Sequence, residues 1–134
     1  WWYAKFAHPG IECPRILNGM MFALLGLHDL AEKQNNPHAQ RLFKKGIPTV
    51  LRVLPDYDAG TWSNYDRYGK PAPEMYHVIH VTQLKLLYDI SGEQAFLDYH
   101  RKFESYYRRF ALLRKVKGAI RSRISSALKL LRRG

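Results

Sequence analysis

"SNYDRYGKPAPEMYHVIHVTQLKLL", residues 63–87, changes character half-way along. Its first part mixes Gly69, Pro71 and Pro73 with Tyr65, Arg67 and Tyr68 and follows no helical or strand period, as a loop or short hairpin does. Near Tyr76 a helical pattern begins and runs to Ile90. Working outward, residues 55–74 all share the loop character, rich in tyrosine, tryptophan, turn formers and acids. Upstream, Leu42, Phe43, Ile47, Val50, Leu51 and Leu54 fall on one helical face, with Gly46 and Pro48 predicting a kink or break. Asn36 and Pro37 suit the cap and first position of that helix. Ile16 to about Gln34 reads as an earlier helix, apolar around most of its surface as a buried one would be. Downstream, Ser91 and Gln94 have capping-box spacing, and Phe96, Tyr99, Phe103, Tyr107 and Phe110 follow at intervals of three and four. No strand stands out, and Trp1 to Pro14 is irregular. The predicted fold class is all-α: helical hairpins around one long tyrosine-rich loop, with a basic amphipathic helix at the C-terminus.

The 134 residues suffice for one domain with a core. The chain starts at Trp1 and shows no secretory leader pattern, which reads as a cut or processed end with sequence upstream. No apolar run is long enough to span a bilayer. A single cysteine, Cys13, excludes an internal disulfide and a multi-cysteine zinc site. The net charge of +11 is uneven: residues 1–100 hold ten Lys/Arg and ten Asp/Glu, whereas residues 101–134 hold twelve Lys/Arg against Glu104 alone. The excess is therefore a property of the tail.

A long ordered loop in a helical protein usually has a task, and this one gathers phenols, a guanidinium and imidazoles. Each has an ordinary explanation. Tyr65 and Tyr76 suit half-buried aromatics with a backbone partner. Arg67 suits a surface ion pair with Asp58 or Asp66, and Asn18 a helix N-cap. His77 and His80 lie three apart on one helix face, but lacking a convincing third ligand they read as structural or substrate-binding rather than metal-binding. Met20, Met21, Leu24 and Leu27 read as core, and "DYDAG" (56–60) as a turn rather than a calcium loop.

Taken together, "LNGMMFALLGLHDL" (17–30), "LPDYDAG" (54–60), "NYDRY" (64–68) and "MYHVIHVTQLKLL" (75–87) resemble, in order and spacing, the C-terminal domain of D-glucuronyl C5-epimerase. The resemblance covers roughly residues 1–110 and implies part of an α/α-toroid acting on an acidic polysaccharide, inverting C5 of a uronic acid without a cofactor or metal. Removing a hydrogen next to a carboxylate demands a base and an acid on opposite faces, and donors to hold the enediolate. By this resemblance Tyr76 is the leading acid/base, Tyr65 and Arg67 bind and polarise the carboxylate, His77 orients Tyr76 or contacts sugar, and Asn18 bonds a hydroxyl. The family pattern is also broken. Its acid–tyrosine pair is replaced at Lys5-Phe6, and Phe22 stands for a substrate-contacting tyrosine. Lys70 is the candidate substitute for an unmatched loop arginine, and His8, Glu12 or an upstream residue for the partner base.

Beyond the resemblance, "ALLRKVKGAIRSRISSALKLLRRG" (111–134) aligns Leu113, Val116, Ile120, Ile124, Ala127, Leu128 and Leu131 on one helical face with basic residues around it. Such a helix suits an anionic membrane surface, an acidic polysaccharide or another domain. With no aromatic after Phe110 and no recognition motif it does not suit nucleic acid. The expected organisation is a domain at 1–110 followed by a tail at 111–134. The expected function is a polysaccharide uronate C5-epimerase in a membrane-associated, cell-envelope or secretory setting, with a homodimer left open. The alternatives are a catalytically altered polysaccharide-binding module and a peripheral membrane or scaffold domain.

Overall fold

The computed structural model describes residues 2–4, 10 and 12–131, with side chains as far as 124. It is all-α: α1 (Leu17–Lys33), α2 (Pro37–Val53), a single 3₁₀ turn (Leu54–Tyr57), α3 (Glu74–Ser91) and α4 (Gln94–Leu131). Only three residues join α1 to α2, and two join α3 to α4, so each pair packs as an antiparallel hairpin. The hairpins meet where α1 packs on α3. Among the described residues there is no strand, only two isolated bridges inside the loop between α2 and α3.

The apolar stripes close on a common core. Leu17, Met20, Met21 and Leu24 of α1 meet Ile47 and Val50 of α2, Leu84 and Leu87 of α3, and Phe96 and Phe103 of α4. Each large side chain fully withdrawn from water there contributes about 1.5–3 kcal/mol. Asn36 caps α2 as its sequence indicates, its Oδ1 accepting the amides of His38 and Ala39 at 3.0 and 3.1 Å.

Three local expectations are corrected. Helix α2 passes through Gly46 and Pro48 without a break. Gly46 is where α1 comes closest: a Cβ there would lie 2.3 Å from Leu24 Cδ2. Tertiary packing of this amphipathic face outweighs the lost backbone bond at Pro48. Ser91 does not open α4. It ends α3, its hydroxyl donating to the Leu87 carbonyl at 2.6 Å, while Gly92 takes the left-handed C-cap conformation (φ 72°). Asn18 is not the cap of α1, for that position is Ile16. The first amide of α1, Leu17 N–H, instead donates to the Tyr65 carbonyl at 3.1 Å, so the loop itself caps the helix.

Because Gly46 admits Leu24, Gly46→Val should destabilise the fold by about 1–3 kcal/mol through overpacking. Urea unfolding would show this as a lower midpoint with unchanged slope.

Candidate functional site

The segment between α2 and α3 is long but closely tied. Asn64 N–H donates to the Tyr57 carbonyl at 2.8 Å, Tyr65 N–H to the Lys70 carbonyl at 2.6 Å, and Ala72 N–H to the Ser63 carbonyl at 2.9 Å. Buried Asp66 accepts the amides of Tyr68 and Lys70, closing the tip. "DYDAG" is a turn, with Gly60 N–H donating to Asp58 Oδ1 at 2.8 Å. Asp58 in turn binds α4 through Lys102 Nζ at 2.5 Å and the Tyr106 hydroxyl at 3.0 Å. Burial pushes the Asp58 carboxyl upward, but the bonds from Lys102, Gly60 and Tyr106 outweigh it and hold the pKa below the ordinary value.

Under the loop lies a buried polar bridge. Ser63 Oγ sits 2.7 Å from His77 Nδ1 and 2.9 Å from His80 Nδ1, and all three residues are sealed from solvent. His77 Nε2 faces the Phe103 carbonyl at 2.9 Å and must donate to it. His77 Nδ1 is then an acceptor, for the Ser63 hydroxyl and the Ser63 amide at 3.2 Å. His80 Nδ1 must supply its own proton to Ser63 Oγ, which leaves His80 Nε2 as a buried acceptor without a protein partner. Trp62 stacks on His77 with ring centres 3.6 Å apart and donates from Nε1 to the Ala72 carbonyl at 2.7 Å. Burial lowers the pKa of both imidazoles; that of His80, further lowered by His77, falls to about 3.

The bridge fixes where the loop emerges, and there Tyr65 leans on Tyr76 of α3 with ring centres 4.9 Å apart at 56°. Burial, and next the adjoining Tyr76, raise the Tyr65 pKa, so this phenol is held neutral. Tyr76 also lines an open groove of about 500 Å³ with Asn18, Phe22, Met75 and the Tyr3 ring. Asn18 is 4% exposed, and its Oδ1 is buried without a partner, which makes it an acceptor in want of a donor. Its backbone carbonyl takes Gln83 Nε2 at 3.1 Å, which anchors the residue on α3.

Of the residues indicated by sequence, the structure thus brings Tyr65, Tyr76 and Asn18 to one region. Arg67 does not line the groove: its guanidinium grips Glu12 at 2.6 Å and covers the Tyr68 ring, rather than pairing with Asp58 or Asp66. Lys70 is exposed at the loop tip and supports Tyr65 with its backbone carbonyl. His77 lies in the core, one residue and about 100° of helix from Tyr76. Glu12 is engaged by Arg67, and His8, Lys5 and Phe6 lie outside the described residues. The Tyr3 ring walls the groove, but its hydroxyl is committed to the Leu42 carbonyl at 2.7 Å. Ser63 went unread in the sequence, and the only available signal was that His77 and His80 share the helical face of Leu84 and Leu87.

The phenol pair, the unsatisfied carboxamide and the capping loop are built from the four motifs noted in the sequence. Residues 1–105 match the model of the D-glucuronyl C5-epimerase C-terminus. The chain belongs to this family. An uncharacterised protein of Methanocaldococcus jannaschii is 34% identical over 103 residues, which is 77% of this chain and 33% of that protein. The D-glucuronyl C5-epimerase of Caenorhabditis elegans is 28% identical over 112 residues, 69% of this chain and 18% of that enzyme. The chain therefore spans about a third or less of these relatives and corresponds to a C5-epimerase-like C-terminal domain.

The neutral imidazoles make stability sensitive to pH. Their folded pKa values lie below the unfolded value near 6.5, so the unfolded chain binds more protons as pH falls. Their contribution is complete above that value and is lost progressively toward about 3, where His80 titrates. Unfolding free energy should fall by up to about 1.4 kcal/mol per histidine per pH unit below pH ~6. Urea titrations of wild type and His80→Leu at pH 7.5 and 5 would measure this, with a flatter pH response expected in the variant.

Proposed function

We propose that the groove holds a uronic acid unit of an acidic polysaccharide and that Tyr76 moves the proton at its C5. Breaking the C5–H bond would pass the proton to the Tyr76 oxygen, while the bonding pair moves into the carboxylate as an enediolate. Delivery of a proton from water to the opposite face would invert C5, the enediolate pair re-forming the C5–H bond and the Tyr76 proton passing to solvent. What supports this reading is that Tyr76, with the Tyr65 ring leaning on it, lines one open groove together with Asn18. Tyr65, held neutral, stands beside Tyr76 as a potential hydrogen-bond donor, and Tyr76 must act from its deprotonated form, as a base requires. Asn18 lines the groove, and a turn of its carboxamide toward the sugar would let its buried, partnerless oxygen accept a hydroxyl.

Arg67, which does not line the groove, is assigned to a carboxylate of a neighbouring sugar of the polymer. The Glu12 carboxylate now in its grip is 65% exposed, and such a pair contributes little, so a substrate carboxylate can replace it. Lys70, exposed at the same tip, adds positive charge toward an anionic polymer. His77 is assigned a positioning role, holding Ser63 and through it the loop that carries Tyr65. The two hairpins form an arc of an α/α-toroid in this reading, and no cofactor takes part in it.

A second reading, binding without epimerisation, is favoured by two other residues of the groove lining. Phe22 carries no transferable proton, and the Tyr3 hydroxyl is already bonded to Leu42. Deuterium uptake at C5 of heparosan in heavy water separates the two. Exchange is expected, with Tyr76→Phe slowing it by about 10²–10⁴-fold. Unchanged exchange in Tyr76→Phe would remove that residue from the mechanism. Polymer binding with no exchange would establish the second reading. Exchange without inversion would mean that one face alone is served.

A further inference from the structure

Helix α4 does not stop where the family does. The family match ends at residue 105, but α4 continues as one helix to Leu131. From 105 to 134 the chain carries ten Lys/Arg and no Asp or Glu. Arg114 Nη1, 3.0 Å from both Glu74 oxygens, ties the start of this extension to α3. Beyond it Val116, Ile120 and Ile124 are 47%, 53% and 57% exposed, and Leu113 just before it 60%. At 3.6 residues per turn these four fall within roughly 40° of the Ile120 direction. Lys117 and Arg123 flank them at about 60° on either side.

The stripe does not end at the bundle. Toward its N-terminal side it leads into a second groove of about 380 Å³, lined by Trp62, Tyr106, Arg109, Phe110 and Leu113. One line thus carries an apolar stripe, flanking cations, and a Trp/Tyr-lined recess with its own arginine. No described helix is long and apolar enough to cross a membrane, so this helix can only lie along a surface.

We propose that the exposed face of α4, from Phe110 to Ile124, docks flat on an anionic phospholipid surface. The chemistry selects this occupant. A second copy laid face to face would bring the Lys117 and Arg123 rows together with no acid from residues 105–134 to offset them. An acidic polysaccharide would neutralise the cations but leave Leu113, Val116, Ile120 and Ile124 in water. An anionic lipid surface satisfies both: the stripe enters the acyl boundary, and Lys117 and Arg123 reach back to the headgroups.

Sedimentation of the 134-residue chain with vesicles tests this directly. Binding is expected with equal parts phosphatidylserine and phosphatidylcholine, and little with phosphatidylcholine alone. The triple variant Lys117→Glu, Arg121→Glu, Arg123→Glu should bind about a hundredfold more weakly. The double variant Ile120→Asp, Ile124→Asp should lose binding to a similar degree at the same net helicity by circular dichroism. Undiminished vesicle binding by the aspartate variant would overturn the proposal, as would a wild-type chain that ignores anionic vesicles. A solution dimer that the aspartate variant dissolves would assign the face to a second copy instead. Should the aspartate variant unfold, the charge variant, altered only at exposed positions, still decides the matter. Vesicle partitioning is read without substrate, so it stands or falls separately from exchange at C5.

Discussion

The hydroxyl of Ser63, shared between two buried imidazoles, is the contact on which the rest of the site depends. It fastens the loop between the hairpins to α3 from within the core, where water cannot compete for the bond. From that fixed point the next residues have little freedom. Asn64 and Tyr65 pair with Tyr57 and Lys70, the Tyr65 carbonyl caps α1, and the Tyr65 ring meets Tyr76. One polar bridge thereby couples the two hairpins and sets the Tyr65 ring against Tyr76, which lines the groove. Its cost is a pair of imidazoles that must stay uncharged, one with a nitrogen left unpaired.

Two regions of different character are joined by α4. Its first half belongs to the core through Phe96, Phe103 and the Lys102–Asp58 contact. Its second half carries exposed aliphatic side chains among cations alone. A continuous helix transmits orientation rigidly, so whatever surface the second half rests on also fixes the aspect of the domain relative to that surface.

Much of this was legible in the sequence because it is periodic or local. The helix over 17–33, the Asn36 cap and the α4 stripe follow from spacing and cap chemistry alone. What escaped was non-local. Of the expected kink or break at Gly46 and Pro48, the break did not account for Leu24 filling the space that Gly46 vacates. Ser91 fits a capping box by spacing, but Gly92 reverses the chain first. The grouping of His77 with Tyr76 treated adjacency in sequence as adjacency in space, whereas neighbours along a helix face different ways. The phenols and Asn18 were visible as residues, and their family pattern named them. Their meeting depends on contacts between segments tens of residues apart, as does the pairing of Arg67 with Glu12.

The central claim is that a neutral tyrosine, its partner on α3 and an unsatisfied asparagine form one sugar-acid site. An NMR titration of the labelled chain with a short heparosan oligosaccharide tests it most directly. The account expects the largest shifts at Asn18, Tyr65 and Tyr76, with release of the Glu12–Arg67 pair seen at the Arg67 side chain. Shifts confined to the basic half of α4, with those three residues unmoved, would contradict it.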